Sequence, residues 1–178
     1  MFLRITTCLL LIFMIASCSK FNVIKDIKIN VSTKTTIEGG GGFLTILDTF
    51  GFSQFNQFDL STSQKFKDDI GDVSRVERAN LETFVLSVTD ETQSLDFINS
   101  VQFYISIDGD SEVLLAWSDN FALDSTSVSL DVDKTIDLTP YIKSKNIKIR
   151  SEVSGGFPDD DTEIQADLLF LIDAKIIK

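Results

Sequence analysis

Acidic residues are the residues of this chain whose spacing most resembles that of a binding or catalytic site. One group lies at alternate positions across a short turn: Asp108, Asp110 and Glu112. It lacks the glycine and the terminal bidentate glutamate that a calcium loop requires, so a solvated turn is the favoured interpretation. The better calcium candidate is the run Asp159, Asp160 and Asp161. Crowded carboxylates repel one another unless a cation or water spreads their charge, but a solvated acidic loop remains the favoured interpretation here too.

The residue types that are missing restrict the chemistry further. The chain has no histidine, and its two cysteines, Cys8 and Cys18, both lie near the N-terminus. This composition excludes serine–histidine, cysteine–histidine and zinc catalysis, and we expect a protein that is not an enzyme. Among 27 acidic residues, some pairs lie by chance at the separation of the two catalytic carboxylates of a glycosidase. The sequence therefore identifies no catalytic pair. No cofactor is expected, calcium apart.

Aromatic residues provide the candidate interaction surfaces. Four phenylalanines stand among Ser, Gln and Asn: Phe50, Phe52, Phe55 and Phe58. Core packing or a partner-facing hydrophobic patch is favoured over a sugar platform, because such platforms favour Trp and Tyr, which combine a stacking face with a polar tip. Tyr104 falls on the polar face of its predicted strand and is the better exposed aromatic. By alternation Trp117 shares a face with Val113 and Leu115, so we expect it in the core.

The N-terminal residues Met1 to Lys20 predict an exported, lipid-anchored protein. Arg4 precedes a short apolar run, and small residues then lead to a cysteine, as in an export signal. The sequence Ile15-Ala16-Ser17-Cys18 resembles the bacterial lipobox, and that resemblance implies cleavage before Cys18 and acylation of its sulfur. A buried N-terminal helix that happens to contain a cysteine is the alternative.

The resemblance to bacterial lipoproteins also divides the chain. It implies a signal peptide at 1–17, a lipidated tether at 18–22 and a single domain at 23–178. The expected location is the cell envelope. Ser19 is not the aspartate that retains some lipoproteins at an inner membrane, which favours the outer membrane.

The elements that must position these residues are predicted to be β-strands. Apolar residues alternate with polar ones in several short stretches separated by turn residues. The clearest strands are Phe21–Val31, Leu81–Val88, Val101–Ile107, Val113–Trp117, Val128–Val132, Ile147–Val153 and Ile164–Ile176. Short helical segments are expected at Leu95–Ile98 and Tyr141–Lys145. We therefore predict an all-β fold, an antiparallel β-sandwich of jelly-roll or immunoglobulin-like topology with one or two short helices.

Two functions are compatible with these features. The first is a non-enzymatic, membrane-anchored envelope lipoprotein that acts as a protein-interaction or assembly module. The alternative is a carbohydrate- or glycan-binding module, assisted by calcium. The net charge of −11 repels polyanions, so nucleic acid is not an expected partner.

Overall fold

The computed structural model describes residues 22–40, 60–107, 111–144 and 147–177, and these ranges contain seven strands and two short α-helices. In chain order the strands are β1 (Asn22–Ile37), β2 (Val76–Val88), β3 (Ile98–Ile107), β4 (Val113–Ser118), β5 (Ser127–Val132), β6 (Ile147–Gly155) and β7 (Thr162–Ile177). The helices are α1 (Gln64–Asp69) and α2 (Thr139–Lys143). Two 3-10 turns, Leu60–Thr62 and Val73–Arg75, flank α1. The predicted all-β class with one or two short helices is confirmed.

The strands form one continuous antiparallel sheet in the order β1-β7-β2-β5-β4-β3-β6. β5 pairs with both β2 and β4, so the two halves of the sheet are continuous through this strand. The sheet curls until its two halves face each other. Phe84 of β2 and Phe103 of β3 demonstrate this, because their rings stack with centroids 4.6 Å apart although β5 and β4 stand between their strands in the sheet.

The strand β7 lies at the centre of one half of the sheet, between β1 and β2. It pairs with β1 over the full 16 residues of each strand, from Asn22 opposite Ile177 to Ile37 opposite Thr162. Its even-numbered residues from Ile164 to Ala174 are all buried, as the alternation predicts: Ile164, Ala166, Leu168, Phe170, Ile172 and Ala174. Period-two patterning turns that apolar row inward, where removal from water stabilises the pairing.

A bulge in β4 overturns the prediction that Trp117 packs in the core. Phe103 pairs with Ala116, whereas the next residue of β3, Tyr104, pairs with Leu114, so Leu115 is an extra residue on β4. Leu115 and Ala116 are consecutive and both buried. A bulge of this kind shifts the alternation by one residue. Trp117 therefore turns to the outer face of the sheet, where it is half-buried.

The helical segments differ from the sequence prediction in position. Helix α2 begins at Thr139 instead of Tyr141, with Pro140 in its first turn, where a missing N–H costs nothing. The segment Leu95–Ile98 forms a turn closed by the Ile98 N–H on the Leu95 carbonyl, at 3.0 Å, and is not a helix.

Helix α1 was not predicted. The Ser63 hydroxyl caps it by accepting from the N–H of Phe66 at 3.2 Å, and Phe66 packs into the core. An ion pair between Lys65 and Asp69 at 2.7 Å joins successive turns of its outer side. A serine cap and an i,i+4 pair are the local signals that could have indicated it.

Candidate functional site

The outer face of β4, β3 and β6 carries a cluster of large side chains that we call the aromatic–arginine face. Its members are Trp117 on β4, Gln102 and Tyr104 on β3, and Arg150 and Glu152 on β6. Register places them together, because Gln102 is opposite both Trp117 and Glu152, and Tyr104 is opposite Arg150. Side chains on directly paired residues project from the same face of a sheet.

Tyr104 lies at the centre of this face and is held there by its hydroxyl and its ring. The hydroxyl donates to Oε1 of Gln102 at 2.5 Å, and Oε2 of Glu152 lies 3.4 Å away. The guanidinium carbon of Arg150 lies 4.3 Å from the ring centroid, in the geometry of a cation–π contact. Tyr104, predicted to be an exposed aromatic, is thus half-buried beneath an arginine.

Two carboxylates fix the orientation of Arg150. Glu112 accepts from Nε at 2.9 Å and from Nη2 at 2.7 Å, and Glu152 accepts from Nη1 at 2.5 Å. The hydrogen bond to Glu112, followed by that to Glu152, raises the pKa of Arg150, and the hydrogen bond from Arg150 lowers the pKa of Glu112. The guanidinium is therefore a fixed planar group and not a freely rotating side chain.

These contacts give the aromatic–arginine face two chemical properties. It presents an indole, a braced guanidinium and an amide on a rigid sheet, and all three can contact a partner without a large loss of side-chain freedom. The charged residues on this side of the sheet are Arg150 and Lys148, which are positive, and Glu112, Glu152 and Asp131, which are negative, so its net charge is negative.

The three aspartates of the run Asp159–Asp161 do not form one group of carboxylates. Asp159 and Asp160 are exposed, whereas the Asp161 carboxylate accepts from the N–H of Gly39 at 2.9 Å. Within the ranges that the structure describes, no three residues of the types His, Cys, Asp and Glu stand close enough to form a metal site.

Several predicted site residues lie outside the described residues. These are the lipidation candidate Cys18 and the four phenylalanines Phe50, Phe52, Phe55 and Phe58. Asp108 and Asp110 also lie outside, whereas Glu112 is described and pairs with Arg150.

The sequence did not identify Trp117 or Arg150 as members of a site. The β4 bulge has no marker in the local sequence, because Leu114, Leu115 and Ala116 are all apolar and none is a glycine. The alternation of Lys148, Arg150 and Glu152 along β6 was the available signal, since it predicts one polar face for that strand.

None of the helices in the described ranges has the length and apolar character needed to cross a bilayer. No protein-family model matches the chain, and no curated protein matches it. Among solved structures, the chain is similar to a protein of turnip yellow mosaic virus, with 12% sequence identity, a TM-score of 0.35, and coverage of 92% of this chain and 88% of the viral one.

Proposed function

We propose that this protein is a non-enzymatic, lipid-anchored protein of the cell envelope whose sheet domain binds a partner protein through the aromatic–arginine face. The observation that carries the proposal is the presence of Trp117, Tyr104 and Arg150 together on the outer face of one half of the sheet. Tryptophan, tyrosine and arginine are the residue types that dominate binding energy at protein interfaces.

The rigidity of the cluster supports the same conclusion. The hydroxyl of Tyr104 and the guanidinium of Arg150 are already hydrogen-bonded in the free protein. A partner that docks on them does not have to order these side chains, and this lowers the entropic cost of association. The negative charge of the face favours a partner surface with exposed lysine or arginine.

The lipobox-like sequence before Cys18 supports the anchor. β1 begins at Asn22, four residues after Cys18. Even fully extended, four residues span only about 14 Å. A domain tethered so closely would meet its partner at the membrane surface.

The test is capture of the partner by the full-length chain, crosslinked in cells and purified from the envelope fraction. Trp117→Lys should abolish recovery of the partner, because it replaces the indole by a charge that the same face must desolvate. The domain should keep its melting temperature, since Trp117 is not part of the hydrophobic core.

Thr83→Lys is the matched control. Thr83 is exposed on the outer face of the other half of the sheet, opposite Leu169 of β7. This variant should capture the same protein as the parent, identified by mass spectrometry. Equal capture by Trp117→Lys and Thr83→Lys would show that the aromatic–arginine face is not the interface.

A further inference from the structure

A polar cavity that we call the loop pocket lies between two loops, at the end of the sheet where β3 begins and β6 ends. The loops comprise residues 92–97, before β3, and 157–161, between β6 and β7. Thr162, the first residue of β7, also lines the cavity, which has a volume of about 350 Å³. Its lining includes Ser94, Asp96, Phe97, Phe157, Asp159 and Asp160. The pocket shares no lining residue with the aromatic–arginine face.

Direct contacts between the two loops hold the pocket open. The side-chain amide of Gln93 donates to the carbonyl of Asp161 at 3.0 Å, and the N–H of Gly156 donates to the carbonyl of Phe97 at 2.7 Å. Gly155 has a φ of +153°, and a Cβ at this position would lie 2.2 Å from the Phe97 carbonyl oxygen. Only glycine allows the chains to approach so closely, so the shape of the pocket is built into the backbone.

The chemistry of the lining is that of a site for a neutral polyhydroxylated molecule. Aspartate, serine and threonine residues line the cavity together with Phe97 and Phe157. The acceptors do not converge as they would around an ion, since the described residues hold no group of three carboxylates placed to bind a metal. A sugar ring matches this arrangement, because its hydroxyls donate to carboxylates while its C–H face packs against an aromatic ring.

We propose that the loop pocket binds a single neutral sugar unit, with Asp96 and Asp159 accepting hydrogen bonds from its hydroxyls. The volume is near the lower end of the usual range for ligand pockets, about 300–1,000 Å³, and therefore suits one unit and not a long chain. Both residues line the cavity and are exposed, so a ligand can reach them from solvent. This site is independent of the protein-binding surface proposed above.

The experiment uses the full-length protein in a polyoxyethylene detergent, since maltoside detergents carry sugars themselves. Glucose, galactose and N-acetylglucosamine are titrated separately and followed by calorimetry and by saturation-transfer NMR. At least one of them should bind, with millimolar affinity. The double variant Asp96→Asn, Asp159→Asn should bind that sugar about tenfold more weakly or worse, because two charge-assisted hydrogen bonds become neutral ones.

Two controls make the result specific to the loop pocket. Glu91→Gln removes an exposed carboxylate from the same turn without touching the lining and should leave the affinity unchanged. Trp117 is the only tryptophan of the chain. It is opposite Gln102, which lies four residues, or about 13 Å at about 3.3 Å per residue, from Ile98 at the start of β3, the residue that follows Phe97. Its fluorescence should therefore not change when the sugar binds.

Four outcomes would overturn the proposal. The first is no binding of any sugar in the panel by a protein that melts cooperatively. The second is binding that the double variant retains at full affinity. The third is sugar-dependent quenching of Trp117, which would place the sugar on the aromatic–arginine face. The fourth is binding of calcium or spermidine at the two aspartates in place of any sugar.

Discussion

Replacing Phe103 tests whether the two halves of the sheet pack on each other. Phe103 is 1% exposed, and its ring stacks on that of Phe84, which is 3% exposed. Phe103→Ala removes a buried ring and leaves a cavity, so it should lower the free energy of unfolding by about 3–5 kcal/mol. The measurement is urea unfolding of the chain from Ser19 onward, produced without lipid and followed by circular dichroism.

A double-mutant cycle with leucine isolates the contact between the two halves. Phe84→Leu and Phe103→Leu keep the sites apolar and should each cost only about 1.5 kcal/mol, so the double variant still folds. Stacked rings contribute about 0.5–1.5 kcal/mol beyond their buried area. The double variant should therefore lose about 0.5–1.5 kcal/mol less free energy of unfolding than the two single losses added together.

The cycle needs a control substitution that leaves both rings in place. Thr83→Ala changes an exposed neighbour of Phe84 and should alter the free energy of unfolding by less than about 0.5 kcal/mol. Independent sites add within about 0.3–0.5 kcal/mol. Strict additivity of the two leucine variants, with unchanged m-values, would mean that the rings do not meet and that the curled arrangement of the sheet is wrong.

Three further predictions concern other parts of the chain. Gly155→Ala should destabilise the fold by at least about 1 kcal/mol in thermal melts, because the backbone there is strained for any other residue; Gly156→Ala, whose Cβ would lie 4.0 Å from the same Phe97 oxygen, is its control and should cost much less. Burial, followed by a hydrogen bond with Asp26, raises the pKa of Asp173 above its ordinary 3.8. The folded state therefore binds this proton more tightly than the unfolded state does. The stability that the protonated group contributes is lost as the pH rises above 3.8 and through the higher pKa of the folded state. Asp173→Asn should consequently raise the melting temperature at pH 7 but not at pH 3, and an equal effect at both values would contradict the assignment. Cys18→Ser should abolish incorporation of labelled palmitate, and continued labelling of that variant would rule out the lipobox.

Local patterning was sufficient to predict most strands but not their arrangement. The even-numbered apolar row of β7 and the alternation around Phe103 in β3 identify those strands and their inward faces, because period two is a property of neighbouring residues. The order of strands in the sheet depends on contacts between distant segments. No feature of β5 by itself indicates that it pairs with both β2 and β4 and thereby joins two sheets into one.

Only part of the candidate site could be predicted, because its geometry also depends on contacts between strands. Tyr104 was identified because it lies on the polar side of a regular strand. Alternation along β4 predicts the wrong face for Trp117, because the bulge at Leu115 inserts one residue relative to β3. Such an insertion is stabilised by cross-strand pairing and by burial of both Leu115 and Ala116, and neither is visible in a single strand.

The long pairing of β1 with β7 determines when this chain can fold. β7 is synthesised after the other six described strands, yet it lies between β1 and β2, which are among the first. Among the described strands β1 has no other partner, so its backbone remains unpaired until the last strand arrives. Contacts between such distant segments make folding slow and prevent it from proceeding strand by strand during synthesis. A ribosome-bound chain would therefore expose apolar surface and an unpaired strand, and would be prone to aggregate, until residue 162 and those after it are released.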